Sequence, residues 1–207
     1  MKIKVCGIRT KANLTFLKQE TVDFVGFIFY SKSGRNFVEG NLANDDLIHC
    51  DKQKVGVFVN ESISTIEKTA KAYDLDYIQL HGDESTEYCR QLKMNGYKLF
   101  KAFSVSNELP SDLRDYEPYV DYFLFDTKGS SYGGNGTQFD WSVLDDYGLG
   151  KPFILSGGIG LEDVESLKKI EHPKLFAVDV NSRFEISPGD KDEARLKEFF
   201  NEIKVNK

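Results

Sequence analysis

No apolar run in the 207-residue chain approaches the roughly 20 residues that a membrane-spanning helix needs, and its first residues carry no signal-peptide core. Membrane association is therefore not expected, and the expected compartment is the cytoplasm. Cysteine is scarce: Cys6, Cys50 and Cys89 stand at irregular spacing with no Cys-x-x-Cys pair. An odd, scattered set fits free thiols in a reducing compartment better than a disulfide framework, and it argues against structural zinc. A basic excess is missing too. Net charge is −6, with both signs interspersed. That argues against nucleic acid as a partner through a broad basic face but permits a small local anion site. What is present is ordinary for a folded protein, with 40% apolar and 29% charged residues. One hydrophobic core can serve roughly 250 residues, so a single domain over 1–207 is expected.

Short apolar runs alternate with amphipathic stretches along the whole chain. The runs are 3–7, 22–29, 54–59, 77–82, 98–105, 122–127, 152–157 and 175–180, each rich in Val, Ile or Phe and more continuous than alternating. Buried parallel strands read this way. Between them, the spacing predicts a helix beginning near Thr10, one over 61–75 with Ser62 as N-cap, one over 161–170 with acids in its first turn, and one over 190–204. The last places Ala194, Leu196, Phe199, Phe200 and Ile203 toward one side; 41–48 is the weakest helical segment. Eight strand–helix units without a composition break point to an α/β fold, a (β/α)₈ TIM barrel in one compact domain. The alternative is an open doubly wound sheet, which usually shows a G-x-G-x-x-G loop after its first strand; this chain has CGIRT there.

Barrel chemistry lies at the C-terminal ends of the strands. There the sequence puts Cys6, Arg35, His81, Asp126, Ser156-Gly157-Gly158 and Asp179. Each has a bland reading as well: a packed cysteine, a solvated arginine, a structural histidine, an aspartate capping the next turn. The segment SGGIGLEDV (156–164) is more specific. Glycines there let backbone N–H groups approach a ligand, and a helix following directly would add partial positive charge, so a phosphate cradle completed by NSRFE (181–185) is expected. The run GSSYGGNGTQFDW (129–141), rich in glycine, reads as a binding loop or lid after the sixth strand.

Taken together, KVCGIRT, GFIFYSKSGRNF, VGVFVN, IQLHGDE, LFDTKGSSYGGNGTQFDW, LSGGIGLEDV and SRFEISPGDKD, in this order, resemble phosphoribosylanthranilate isomerase of the tryptophan pathway over essentially the whole chain. The resemblance implies an Amadori rearrangement of an aminoaldose phosphate, N-(5-phosphoribosyl)anthranilate, to 1-(2-carboxyphenylamino)-1-deoxyribulose 5-phosphate. It implies Asp126 as the acid that protonates the furanose ring oxygen and Cys6 as the base that removes the C2 proton. Arg35 corresponds to the arginine receiving the anthranilate carboxylate. Gly157, Gly158, Asn181 and Ser182 match the phosphate turns, and Gln79, His81 and Asp179 are placed at the pocket.

The roles ask for an Asp126 that holds its proton and a Cys6 that is partly thiolate, with Arg35 or Arg9 as a cation to help the latter. A bell-shaped pH profile is expected, with its basic limb assigned to the Asp126 proton. No cofactor and no metal are expected, and the partner is a small-molecule substrate, the protein being a monomer or homodimer. Two departures stand out: Arg183 replaces a usual glycine after the eighth strand, and GGNGT replaces the commoner GGTG.

Other readings are a histidine-pathway isomerase, which uses two aspartates, a Schiff-base aldolase built on Lys101, a metal-dependent epimerase, and an inactive barrel that only binds ligand. Cysteine at the end of the first strand disfavours the first of these. Of the three histidines only His81 falls at the rim, which disfavours the metal enzyme.

Overall fold

Val5, Val25, Phe58, Leu80, Val105, Phe125, Leu155 and Val180 stand at or near strand ends and are all buried. A strand that is apolar on both faces must be covered on both, and a closed barrel with helices outside does this. The computed structural model describes residues 1–127 and 138–204. Its strands are β1 (Lys2–Val5), β2 (Phe24–Ile28), β3 (Gln53–Phe58), β4 (Tyr77–Leu80), β5 (Leu99–Val105), β6 (Tyr122–Thr127), β7 (Phe153–Leu155) and β8 (Leu175–Val180). They form a closed parallel barrel in sequence order, with β8 returning to β1 in the register Lys4↔Asp179 and Val5↔Val180. The open-sheet alternative is thereby excluded.

Side-chain alternation along the strands separates two cores. Phe24, Val55, Phe100, Ala102, Leu124, Ile154 and Ala177 fill the barrel interior, with Tyr77, Tyr122 and Phe176 packed against them. Several of these sit at strand starts, so the N-terminal end is plugged by aromatic rings in edge contact, for example Phe24 with Phe100 at 5.8 Å and Phe100 with Tyr122 at 5.2 Å. Intervening residues such as Phe123, Phe125, Val178 and Val180 belong to the larger core between strands and helices. The open end is left for polar groups.

The helices are α1 (Lys11–Gln19), α2 (Asn44–Ile48), α3 (Ile63–Tyr73), α4 (Thr86–Met94), α5 (Leu113–Tyr116), α6 (Val164–Lys168) and α7 (Glu193–Lys204). Thr10 caps α1 by accepting from the Asn13 amide at 3.3 Å, and Ser62 caps α3 by accepting from the Thr65 amide at 3.2 Å. Three expectations need correction. After β6 the described residues contain a 3₁₀ turn, Trp141–Asp146, and no α-helix. The stretch 161–170 splits into a 3₁₀ turn, Leu161–Asp163, and the five-residue α6. Ala194 is exposed, whereas Leu196, Phe199 and Phe200 are buried, because the apolar stripe of α7 starts one turn later. One element was not expected: a hairpin of β9 (Glu185–Ser187) and β10 (Asp190–Lys191), turned by Pro188-Gly189 with Gly189 at φ +80°. No helix among the described residues is long and apolar enough to cross a membrane.

Candidate active site

The open end of the barrel holds a cleft of about 820 Å³. β1 sends the chain into it at Cys6, whose amide continues the ladder by donating to the Val180 carbonyl at 2.9 Å. Gly26 on β2 makes room for the thiol, since a Cβ there would stand 2.8 Å from Cys6 Sγ. From β4 come Gln79 and, one position past the strand, His81; alternation puts both on the inner face. β6 contributes Asp126 and β8 contributes Asp179. The turns after β7 and β8 supply Gly157, Gly158, Asn181 and Ser182, and the loop after β2 supplies Arg35. All ten residues expected at the site therefore line one cleft.

Asp126 does two things. Its Oδ1 accepts from the Thr127 amide at 2.9 Å, the capping role its bland reading described, while Oδ2 lies 3.2 Å from His81 Nε2. The imidazole is held in turn by Gln79, whose Nε2 is 2.9 Å from His81 Nδ1. This chain of contacts fixes the carboxyl group on the cleft side. Gly157, at φ +95°, packs against Asp126 so closely that a Cβ would meet Thr127 Oγ1 at 2.3 Å and Asp126 Oδ1 at 2.9 Å. The aspartate and the glycine turn thus form one packed unit.

Around Cys6 the electrostatics differ from expectation. Burial pushes the thiol up, and the cations that pull it down are Lys4 and Lys191, not Arg35 or Arg9. Lys4, two residues earlier on the same face of β1, is fully buried and donates to Asp179 Oδ2 at 2.8 Å. Burial works against its charge, but Asp179 and Cys6 raise its pKa overall. Burial also pushes the Asp179 carboxyl up, against the pull of Lys4. Arg9 is 4.0 Å from Glu39 instead. Arg35, 16% exposed in its side chain, is clamped by Glu185.

The pair Lys4–Asp179 is the kind whose breakage leaves an uncompensated buried charge, which costs about 3–5 kcal/mol. Lys4→Met is expected to lower stability on that scale in urea unfolding. An unchanged midpoint would mean that Asp179 is solvated or neutral in the folded state.

At the phosphate end, Gly158 adopts φ +67° after Gly157. The chain then enters a 3₁₀ turn capped by Asp163, whose Oδ2 accepts from the Gly160 amide at 2.7 Å. The anion affinity expected from a long helix therefore rests on backbone amides of the glycine turn instead. Arg183 lines the cleft mouth and pairs with Glu162, which also bonds Arg195 at 3.3 Å. The loop 129–141 falls largely outside the described residues. Of its described end, Gln138 donates to the Gly158 carbonyl at 3.1 Å and Phe139 donates to Thr127 Oγ1 at 3.2 Å.

Lys101 does not reach the cleft. Its neighbours Phe100 and Ala102 face the barrel interior, so Lys101 faces outward, where its ammonium donates to the Gly82 carbonyl at 2.6 Å and to Glu84 Oε2 at 3.0 Å. A buried lysine bonded to a carboxylate in this way is no amine nucleophile. Lys4, Glu185 and Lys191 escaped the sequence reading. For Lys4 the signal was available: it precedes Cys6 by two on a strand. For Glu185 and Lys191 it lay in SPGD, a turn sequence flanked by short polar segments.

Residues 3–202 match the family described as N-(5'phosphoribosyl)anthranilate (PRA) isomerase. The N-(5'-phosphoribosyl)anthranilate isomerase of Parabacteroides distasonis is 44% identical, covering 98% of this chain and 93% of that one. The protein of the same name from Phocaeicola vulgatus is 41% identical over 99% and 98%. Among solved structures, that of monomers of the dimeric Thermotoga maritima phosphoribosylanthranilate isomerase superposes with TM-score 0.79 at 33% identity, covering both chains fully. A phosphoribosylanthranilate isomerase in complex with reduced 1-(o-carboxyphenylamino)-1-deoxyribulose 5-phosphate gives 0.76 at 32%, again over both whole chains. With a family match over nearly its whole length and two relatives above 40% identity, the chain belongs to the N-(5'-phosphoribosyl)anthranilate isomerase family.

Proposed function

We infer that the protein converts N-(5-phosphoribosyl)anthranilate to 1-(2-carboxyphenylamino)-1-deoxyribulose 5-phosphate in tryptophan biosynthesis. Family membership carries the reaction. The observation that carries the residue assignments is the meeting of a thiol, a carboxyl, a guanidinium and a glycine turn on one cleft. The phosphate sits on the Gly157-Gly158 turn and the Asn181-Ser182 turn. The anthranilate carboxylate lies toward Arg35, and the sugar spans the space between Cys6 and Asp126.

Asp126 protonates the ring oxygen as the C1–O bond breaks, which leaves an iminium at C1. Cys6 as thiolate then removes the C2 proton; the electron pair moves into the C1–C2 bond and neutralises the iminium nitrogen, giving an enolamine. Tautomerisation of that enol yields the ketose. Lys4 and Lys191 favour the thiolate, while burial keeps the resting thiol neutral. The three thiols are free, which fits the reducing cytoplasm as the place of action. The working unit is a monomer or homodimer.

The test is direct. The unstable substrate is generated in situ from anthranilate and an activated ribose phosphate, and loss of its fluorescence on adding the protein is followed. No acceleration over the spontaneous decay would sink the assignment. Arg35→Ala is expected to lower kcat/KM ten- to a hundredfold, since a charged hydrogen bond is worth about 1.5–3 kcal/mol. Competitive inhibition by inorganic phosphate should barely change. A parallel collapse of phosphate affinity would move Arg35 to the phosphate end.

A further inference from the structure

The β9–β10 hairpin places a carboxylate behind the cleft wall. The Glu185 side chain is 4% exposed and sits between two cations. Arg35 Nε donates to Glu185 Oε1 at 3.0 Å and to Oε2 at 2.9 Å, and Arg35 Nη2 donates to Oε2 at 2.7 Å. Lys191 Nζ donates to Glu185 Oε1 at 2.7 Å, and the Gly189 amide reaches the same oxygen at 3.1 Å. Neither Glu185 nor Lys191 lines the cleft, whereas Arg35 does. Burial pushes the Glu185 carboxyl up, but the bonds from Arg35 and Lys191 hold it below the usual carboxylate range. Glu185 is therefore an anion whose partners are both fixed.

A guanidinium has five N–H donors and two edges able to take a carboxylate in parallel. Glu185 occupies the side-on edge, Nε with Nη2. Both Nη1 hydrogens and one on Nη2 remain, and they form the end-on edge. We propose that Glu185 is the positioning residue for Arg35, holding its side-on edge so that the end-on edge is the one presented to the carboxylate of the substrate's anthranilate group.

The proposal rests on the assignment of Arg35 to that end of the substrate. The same carboxylate ties in the opposite end of the cleft. Lys191 Nζ also donates to Asn181 Oδ1 at 2.7 Å and to the Asn181 carbonyl at 3.3 Å. Arg35, Asn181 and Lys191 converge on Gly7, where an added Cβ would lie 2.8 Å from Asn181 Oδ1, 3.1 Å from Arg35 Cδ and 3.5 Å from Lys191 Nζ. Glycine is required there for space and for its φ of +79°. The arginine is thus set relative to the residue next to Cys6 by packing, and its rotation is set by Glu185.

Two substitutions test this. Glu185→Gln supplies one acceptor oxygen instead of two and turns an N–H₂ toward the guanidinium. Glu185→Asp keeps the charge, and with it the fold, but is one methylene too short to span Nε and Nη2. Both are expected to raise KM for phosphoribosylanthranilate about tenfold, with kcat within about threefold and inhibition by inorganic phosphate unchanged. In an Arg35→Ala background, Glu185→Asp should add nothing to KM, because there is no longer a guanidinium to position. An unchanged KM in a folded Glu185→Asp variant would overturn the proposal. So would a tenfold rise that persists in the Arg35→Ala background, which would make Glu185 a hairpin residue only. Failure of the parent protein to turn over the substrate would instead count against the function itself.

Discussion

Alanine at Cys6 is expected to cut kcat by roughly 10²–10⁴-fold, the usual loss when a general base is removed, and alanine at Asp126 should do the same for the acid. Neither side chain is a main binding contact in the proposed arrangement, so affinity for a product analogue should stay within a few fold. Cys6→Ser should also be poor. A hydroxyl ionises far less readily than a thiol, and the pocket that already pushes the thiol up by burial would push a hydroxyl further. The double alanine variant should lose much less than the product of the two single losses, since both groups serve one sequence of steps. Steady-state kinetics on the four proteins decide it. Full activity in Cys6→Ala would leave this residue a packed cysteine beside Gly26.

The raised thiol changes the expected pH profile. Activity needs thiolate and protonated Asp126 together, a form with the same proton count as thiol and carboxylate. The two macroscopic limbs then belong to the pair, and whichever group titrates higher sets the basic limb. Burial pushes Cys6 upward, so the basic limb is expected to follow the thiol rather than Asp126, the reverse of what the resemblance alone implies. The sign is testable. Removing the Lys4 ammonium takes away a cation that favours the thiolate, so in folded Lys4→Met the basic limb should move to higher pH and the plateau should fall. A limb that stays in place would return it to Asp126.

The barrel was legible because burial on both faces leaves a mark on each strand: the run 122–127 coincides with β6 and 175–180 with β8. The cleft was legible for a similar reason, since strand ends in a barrel converge whatever the loops do, and Cys6, Asp126 and Asp179 needed only the strand assignments. What could not be read was partnership. Whether Arg35 faces Cys6 or Glu185 depends on a hairpin 150 residues away in sequence. Whether the thiol is raised or lowered depends on the balance between burial and two lysines that come from β1 and β10. Helix lengths around the rim failed where tertiary packing shortened them, as at Leu161–Lys168, whose acidic first turn is used to cap Gly160 rather than to start a long helix.

Gly158→Val is expected to abolish measurable binding of both the substrate and inorganic phosphate while leaving the barrel folded. Gly158 has φ +67°, a region that a β-branched residue avoids at a cost of order 1–3 kcal/mol. Valine would pull the backbone toward negative φ, turning the amides of the Gly157-Gly158 turn away from the anion they are proposed to hold. Its branched side chain would also take up space where a phosphate oxygen approaches the chain. Gly157 is the poorer probe, although its φ of +95° is equally special, because a side chain there would strike Thr127 and Asp126 and disturb the acid as well. Gly158 bears instead on Gln138, whose amide donates to its carbonyl, so the damage stays at the phosphate end. Isothermal titration with inorganic phosphate, alongside thermal unfolding to show an intact fold, separates the effects. Wild-type phosphate affinity in folded Gly158→Val would remove this turn from the binding site and leave the anion to Asn181, Ser182 and Arg183.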